Sequence, residues 1–271
     1  MKNKTYRFAV AAALLLALAL VFAAPVGAEG TDTVIDTWNE LKSALEAGGT
    51  VTLGGNINVP YDNETVTSGT NSGLKIKAGN VVNINAGTTV TLNLNGYSIL
   101  ATDPNNCEDS GWNYALFTVS GTLTITDSSS CNSGEITVES QYKNDAGNRA
   151  TSVITVNPSG SVILSGGTLT HTKGSENKGT AGYVVDVRAN GNGGDVSLTI
   201  YEGASLKSDY IAVRLFANTD TNKCSIIVNG GYITGKSRGI WIQLPGSNSD
   251  TKPTVDVTVD GGIIECNPGY D

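Results

Sequence analysis

Eight residues carry the densest chemistry in this chain. Thr155, Asp186, Arg214 and Trp241 form one set, at spacings of 31, 28 and 27 residues. Asn157, Arg188, Phe216 and Gln243 repeat those spacings two residues further on. If successive segments stack on one another, both sets lie on one outward face. Two arginines beside a carboxylate, with two exposed rings nearby, would suit a sugar acid. A guanidinium can hold a carboxylate bidentately, and a flat ring can stack on a pyranose. A plainer reading competes, in which Asp186 pairs with Arg214 and the neighbouring rings shield the strands. The ligand-binding candidates are therefore Asp186, Arg188, Arg214, Phe216, Trp241 and Gln243, with no catalytic and no metal-binding residue assigned.

Catalytic readings fit less well. A lyase acting on uronates needs an acidic cluster for calcium and an Arg or Lys base. Arg188, Arg214 and Arg238 could serve as bases, but Asp186 and Asp209 alone make a thin calcium cage. A glycosidase needs carboxylates on both sides of the scissile bond. Asn218-Thr219-Asp220 resembles the first short motif of the polygalacturonases, whose Asp-Asp pair, Gly-His-Gly and Arg-Ile-Lys motifs are missing. The single histidine, His171, leaves no dispersed Ser-His-Asp set to assemble. Gly191-Asn192-Gly193-Gly194 opens no helix, so it is not a phosphate loop. Thr122-Leu123-Thr124-Ile125-Thr126 has the composition of an ice-binding strand, but unequal unit lengths argue against a regular threonine array. The cysteines form no Cys-x-x-Cys or Cys/His cluster that would suggest zinc. No cofactor is expected, and calcium enters only with the lyase alternative.

The elements that must position these residues form a repeat. Its cleanest copy is Ser225-Ile226-Ile227-Val228-Asn229-Gly230-Gly231-Tyr232-Ile233: an alternating apolar pair, a glycine corner and a further apolar residue. The pattern recurs at Leu92, Leu94, Gly96, Ile99; at Leu123, Ile125, Gly134, Ile136; and at Val162, Leu164, Gly167, Leu169. It continues at Leu198, Ile200, Gly203, Leu206, and closes at Val257, Val259, Gly262, Ile264. The residues after the glycine step by 27 to 37 positions, a period that implies stacked units. Each unit carries a second alternating pair upstream, from Phe117 and Val119 to Ile240 and Ile242. Three short strands per unit, without a helical period between them, predict an all-β fold, a β-solenoid of parallel strands. Polar residues between the apolar ones predict strands that are wet on their outer face.

Two further features frame the repeat. Lys2, Lys4 and Arg7 precede an apolar run from Phe8 to Ala24, so residues 1–28 read as a signal peptide cleaved after Ala28. Residues 29–271 then form a single domain that carries no membrane span. A capping box at Thr37-Trp38-Asn39-Glu40 opens an amphipathic helix over 37–47, with Trp38, Leu41, Ala44 and Leu45 on one face. This helix is expected to cap the first unit, where core and strand edge would otherwise be bare. The chain stops at Asp271 without a segment to cover the last unit. A longer protein, a folded-over final loop or another chain would each cover it.

The helix pattern Trp-x-Glu-Leu-x-x-Ala-Leu, followed by two glycines, Val-Thr-Leu and Asn56-Ile57, resembles the start of right-handed β-helix proteins of the pectate-lyase-like superfamily. The Gly-Gly-x-Ile corners look like its adhesin-like repeat proteins. That resemblance implies architecture more than activity, because the fold hosts lyases, hydrolases and binding proteins. Net charge is −8, and −11 once the three basic residues of the signal are gone, which excludes a nucleic-acid partner needing a basic stripe. Export allows disulfides among Cys107, Cys131, Cys224 and Cys266, with Cys107–Cys131 the favoured pair. The expected protein is a secreted or cell-surface, adhesin-like interaction module that binds carbohydrate without catalysis. Its partner would be an extracellular polysaccharide or a host or neighbouring cell surface. The alternative is a calcium-dependent polysaccharide lyase of the pectate type.

Overall fold

A computed structural model describes residues 33–60, 80–102, 114–140, 151–173, 182–190, 193–218, 222–244 and 252–266. All of them belong to the unit Asp32–Asp271. The signal at 1–28, Cys107, and Thr219 and Asp220 of the Asn-Thr-Asp motif lie outside the described residues.

The described residues form nineteen strands and one helix, and every strand pairing is parallel. The fold is all-β, with long parallel sheets compatible with a β-helix. Parallel partners cannot be joined by a tight hairpin, so the chain leaves each strand and meets its partner one unit later. A first series runs through Gly49–Leu53, Thr89–Asn93, Thr122–Thr126, Ser161–Leu164 and Val196–Ile200. A second runs through Ile57–Asn58, Ser98–Thr102, Glu135–Ser140, Gly167–Lys173 and Ala204–Ser208. The long strands Lys223–Gly235 and Thr254–Cys266 extend both series and join them into one thirteen-stranded sheet. A third series makes a separate six-stranded sheet: Val82–Ile84, Tyr114–Val119, Thr151–Val156, Gly182–Ala189, Ile211–Ala217 and Arg238–Gln243.

The markers after the glycines fall into one register: Ile99, Ile136, Leu169, Leu206, Ile233 and Ile264 are successive Cα partners. The upstream pairs align as their spacing implies, Ile154 with Val185, Val185 with Val213, and Val213 with Ile240. One alignment differs. Leu123 and Ile125 pair with Val90 and Leu92, two residues earlier than the glycine pattern suggests. Leu94 lies past the ladder and fills the space under the longer Asp127–Gly134 turn. A Cβ on Gly134 would stand 2.4 Å from the Leu94 Cβ, so glycine is required there.

The inward residues form a single apolar cluster that includes Val156, Val187 and Leu215, all fully buried. Ile242, the next residue in that column, is 43% exposed on the last strand of its sheet. Strict alternation breaks once per unit in the six-stranded sheet. Leu116-Phe117, Val153-Ile154, Val184-Val185 and Ala212-Val213 are consecutive residues that all join the core. The expected wet outer face also needs correction on this sheet. Thr151–Val156 is buried at every position, and Gly182–Ala189 at all but Arg188. On the first series the alternation holds, as in Val196–Ile200.

The helix, Trp38–Ala47, buries Trp38, Leu41 and Leu45 against the first strands of both sheets. Each such side chain contributes about 1.5–3 kcal/mol by leaving water. Its start differs from the expected capping box: the Thr37 hydroxyl donates to the Glu40 carboxylate at 2.6 Å and makes no bond to the helix backbone. The helix does close a sheet edge. Lys42 Nζ donates to the Val81 carbonyl at 2.7 Å, and the Glu46 carboxylate accepts the Asn83 N–H at 2.9 Å, both beside the outermost strand Val82–Ile84. Among the described residues no helix is long and apolar enough to cross a membrane.

The favoured bridge is not supported at its described end. Cys131 is a free, exposed thiol in the Asp127–Gly134 turn, and Cys224 and Cys266 are free as well.

Candidate functional site

The third strand series brings the sequence-derived candidates onto one face. Thr155, Asp186, Arg214 and Trp241 are successive partners across four strands. Arg188, Phe216 and Gln243 are successive partners beside them. The break in alternation at Val184-Val185 and Ala212-Val213 turns a further outward column onto this face: Tyr183, Ile211 and Arg238. Three residues on each of three strands make a grid. Tyr183 and Ile211 anchor a small apolar cluster of their own, against which Tyr210 and Trp241 pack.

The middle of this grid is an ion cluster. Asp186 is 0% exposed. Arg214 Nε donates to its Oδ1 at 2.8 Å and Arg214 Nη2 to its Oδ2 at 2.6 Å, a fork that grips both oxygens. Arg188 Nε donates to Oδ2 at 2.6 Å. The Arg214 guanidinium lies over the Tyr183 ring, 4.4 Å from its centroid, and 5.6 Å from that of Phe216. Burial works against the Arg214 charge, but the hydrogen bond and field of Asp186 outweigh it and raise its pKa further above the ordinary value. Burial also raises the Tyr183 phenol, with Arg214 opposing, so this hydroxyl is a poor base near neutral pH. The plainer reading of the ladder, Asp186 paired with Arg214, is the observed geometry.

The edge strand Arg238–Gln243 is different. Arg238 is exposed, its guanidinium 5.2 Å from the Trp241 ring centroid, and its Nη1 donates only to the Ser237 hydroxyl at 3.3 Å. Gln243 Oε1 is buried without a hydrogen-bond partner. A cation over a partly exposed ring can receive a flat polar ligand bearing hydroxyl groups. Sequence spacing named Trp241 and Gln243 but not the placement of Arg238 beside them. The signal was the doubled apolar step at Gly239-Ile240, which resets which residues face outward.

The remaining candidates stay apart. His171 lies in the interior, away from the grid, with Thr151 as its hydrogen-bond partner at 2.6 Å. Asn218 donates its backbone N–H to the Ala189 carbonyl, an ordinary continuation of the strand pairing. Among the described residues no group of three or more His, Cys, Asp or Glu could hold a metal ion. Comparison with known proteins found no matching family model, no matching curated protein and no matching solved structure.

Proposed function

We propose that the chain is a secreted or cell-surface, right-handed parallel β-helix that binds carbohydrate through its outward grid without catalysis, in the manner of an adhesin. The β-helix reading is supported by the constant register across units and the single apolar core. The export-type N-terminus and the resemblance of the first coil to pectate-lyase-like proteins agree with it. One observation carries the binding reading. Trp241, Arg238 and Gln243 stand together on the outermost strand of the grid, partly exposed and without the ion pairing that occupies its centre.

The centre favours binding over lyase chemistry. Both oxygens of Asp186 are engaged by guanidinium groups, so it is poorly placed to hold calcium, and Arg214 is committed to it. The test is retention of the exported protein on arrays of acidic and neutral polysaccharides. Trp241→Ala and Arg238→Ala are expected to weaken retention about tenfold, roughly the 1.4 kcal/mol of a stacking or cation–π contact, with unchanged urea midpoints. Failure to bind any carbohydrate sinks the reading. So would new unsaturated ends on uronate polymers, with or without calcium, that disappear in Arg238→Ala.

A further inference from the structure

His171 is the chain's one histidine, and the residue is 3% exposed. It sits in the thirteen-stranded sheet on Gly167–Lys173, with Val138 and Ser208 as its partners on the flanking strands. Its ring reaches across to the six-stranded sheet. There it lies against Gly182, where a Cβ would come within 2.0 Å of Cε1. Nε2 is 2.6 Å from Thr151 Oγ1 on the adjoining strand, where Thr151 and Gly182 are register partners. The imidazole is thus a pin through the corner where the two sheets meet.

The pin has one partner for two nitrogens, because Nδ1 is buried with no hydrogen-bond partner. In the neutral tautomer protonated at Nε2, the ring donates to the Thr151 hydroxyl and leaves only the Nδ1 lone pair unmet. A protonated ring buries a second N–H that finds at best its own backbone as an acceptor, together with a net charge. The charged groups around it offer little relief. Asp209 donates its backbone N–H to the His171 carbonyl, and its field favours the charged ring, but its carboxylate pairs with Lys236 at 3.2 Å. Glu135, Glu139 and Lys207 alternate with the buried Ile136, Val138, Leu206 and Ser208 and stand on outward positions. Asp186 and Arg188 are bound to each other on the outer face.

We propose that His171 is an acid-operated release: once protonated it cannot stay seated against Gly182 and Thr151, and the packing of Gly167–Lys173 on Gly182–Ala189 opens. The second of these strands carries Tyr183, Asp186 and Arg188, so the release reaches the outward grid whether or not that grid binds carbohydrate.

The pH window follows from linkage. Burial lowers the His171 pKa from 6.5 to about 4, against the opposing field of Asp209. The open state therefore takes up the proton first. Closure is complete above the ordinary value and weakens as pH falls from 6.5 towards 4, with no further loss from this group below that. Between pH 7 and pH 5 the opening equilibrium should rise about 20-fold. Ordinary Asp and Glu side chains titrate at about 3.9 and 4.3, so between pH 7 and pH 5 this imidazole is the only side chain with an ordinary pKa.

Two measurements test the release. An NMR titration of the lone imidazole should find it neutral in the folded protein down to pH 5. Native-state hydrogen exchange, corrected for intrinsic rates, should show protection of Gly167–Lys173 and Gly182–Ala189 falling about 20-fold from pH 7 to pH 5. In His171→Gln, which keeps a donor for Thr151 and cannot titrate, that fall should vanish. An imidazole titrating near 6.5, a protection factor that does not change, or a loss spread evenly over all strands would each overturn the proposal. The imidazole titration needs no variant, so it decides the matter even if His171→Gln does not fold.

Discussion

Asp186 shows how a single outward residue can become part of the interior. A carboxylate removed from water carries a desolvation cost of several kcal/mol, met here by two guanidinium groups and the rings around them. Removing one partner leaves charge uncompensated, so Arg214→Ala is expected to lower stability by about 3 kcal/mol, read from the urea midpoint. Arg214→Lys keeps the charge but loses the fork and the ring contact, and should fall between the two. A wild-type midpoint in Arg214→Ala would mean that Asp186 is solvated. Asp127 solves the same problem with neutral donors. Partial burial pushes its carboxyl up, but the N–H groups of Gly134, Ser129 and Gly96 and the Ser129 hydroxyl prevail and hold it below the usual carboxylate range. These four donors fix the longest of the glycine corners.

At the scale of elements, the helix and the strands depend on each other. Trp38–Ala47 is only 10 residues long, too short to persist alone in water, so its order comes from the apolar face it buries. Leu45→Ala is expected to cost about 3 kcal/mol in urea unfolding, the usual result of emptying a fully buried leucine site. If the loss is instead below about 1 kcal/mol, the helix is not seated on the core. Much of this level was legible in the sequence. A period-2 pattern with a glycine corner identifies which side chains pair, except at Leu92 and Leu94, where the ladder is set two residues earlier. Less visible was the doubled inward step at Val153-Ile154 and its counterparts, because an extra apolar residue at a strand start reads as a longer strand. That step brought Arg238 beside Trp241, and the burial of Thr151 and Thr155 also escaped a pattern that treats threonine as outward. The threonine face of the first series turned out regular in register, Thr91 to Thr124 to Ile163 to Thr199, but it is interrupted by isoleucine.

For the molecule as a whole, the thiols give a test of the packing. Cys131 and Cys266 are exposed, whereas Cys224 is fully buried and its pKa is pushed up to about 12 by desolvation. Alkylation of the native protein, mapped by peptide mass spectrometry, should label Cys131 and Cys266 and spare Cys224 until urea unfolds the chain. Labelling of Cys224 at the native rate, or protection of Cys131, would contradict this arrangement. Much of the unequal spacing of the repeat also has a simple location. Between the second and third strand series the chain runs from twenty-three residues, 59–81, down to two, 209–210, while the ladders on either side keep their partners. Pairing and length are therefore written in separate parts of the sequence. Evolution can rewrite whatever hangs from that one corner without disturbing the rest, and a protein engineer could splice a foreign peptide there for display.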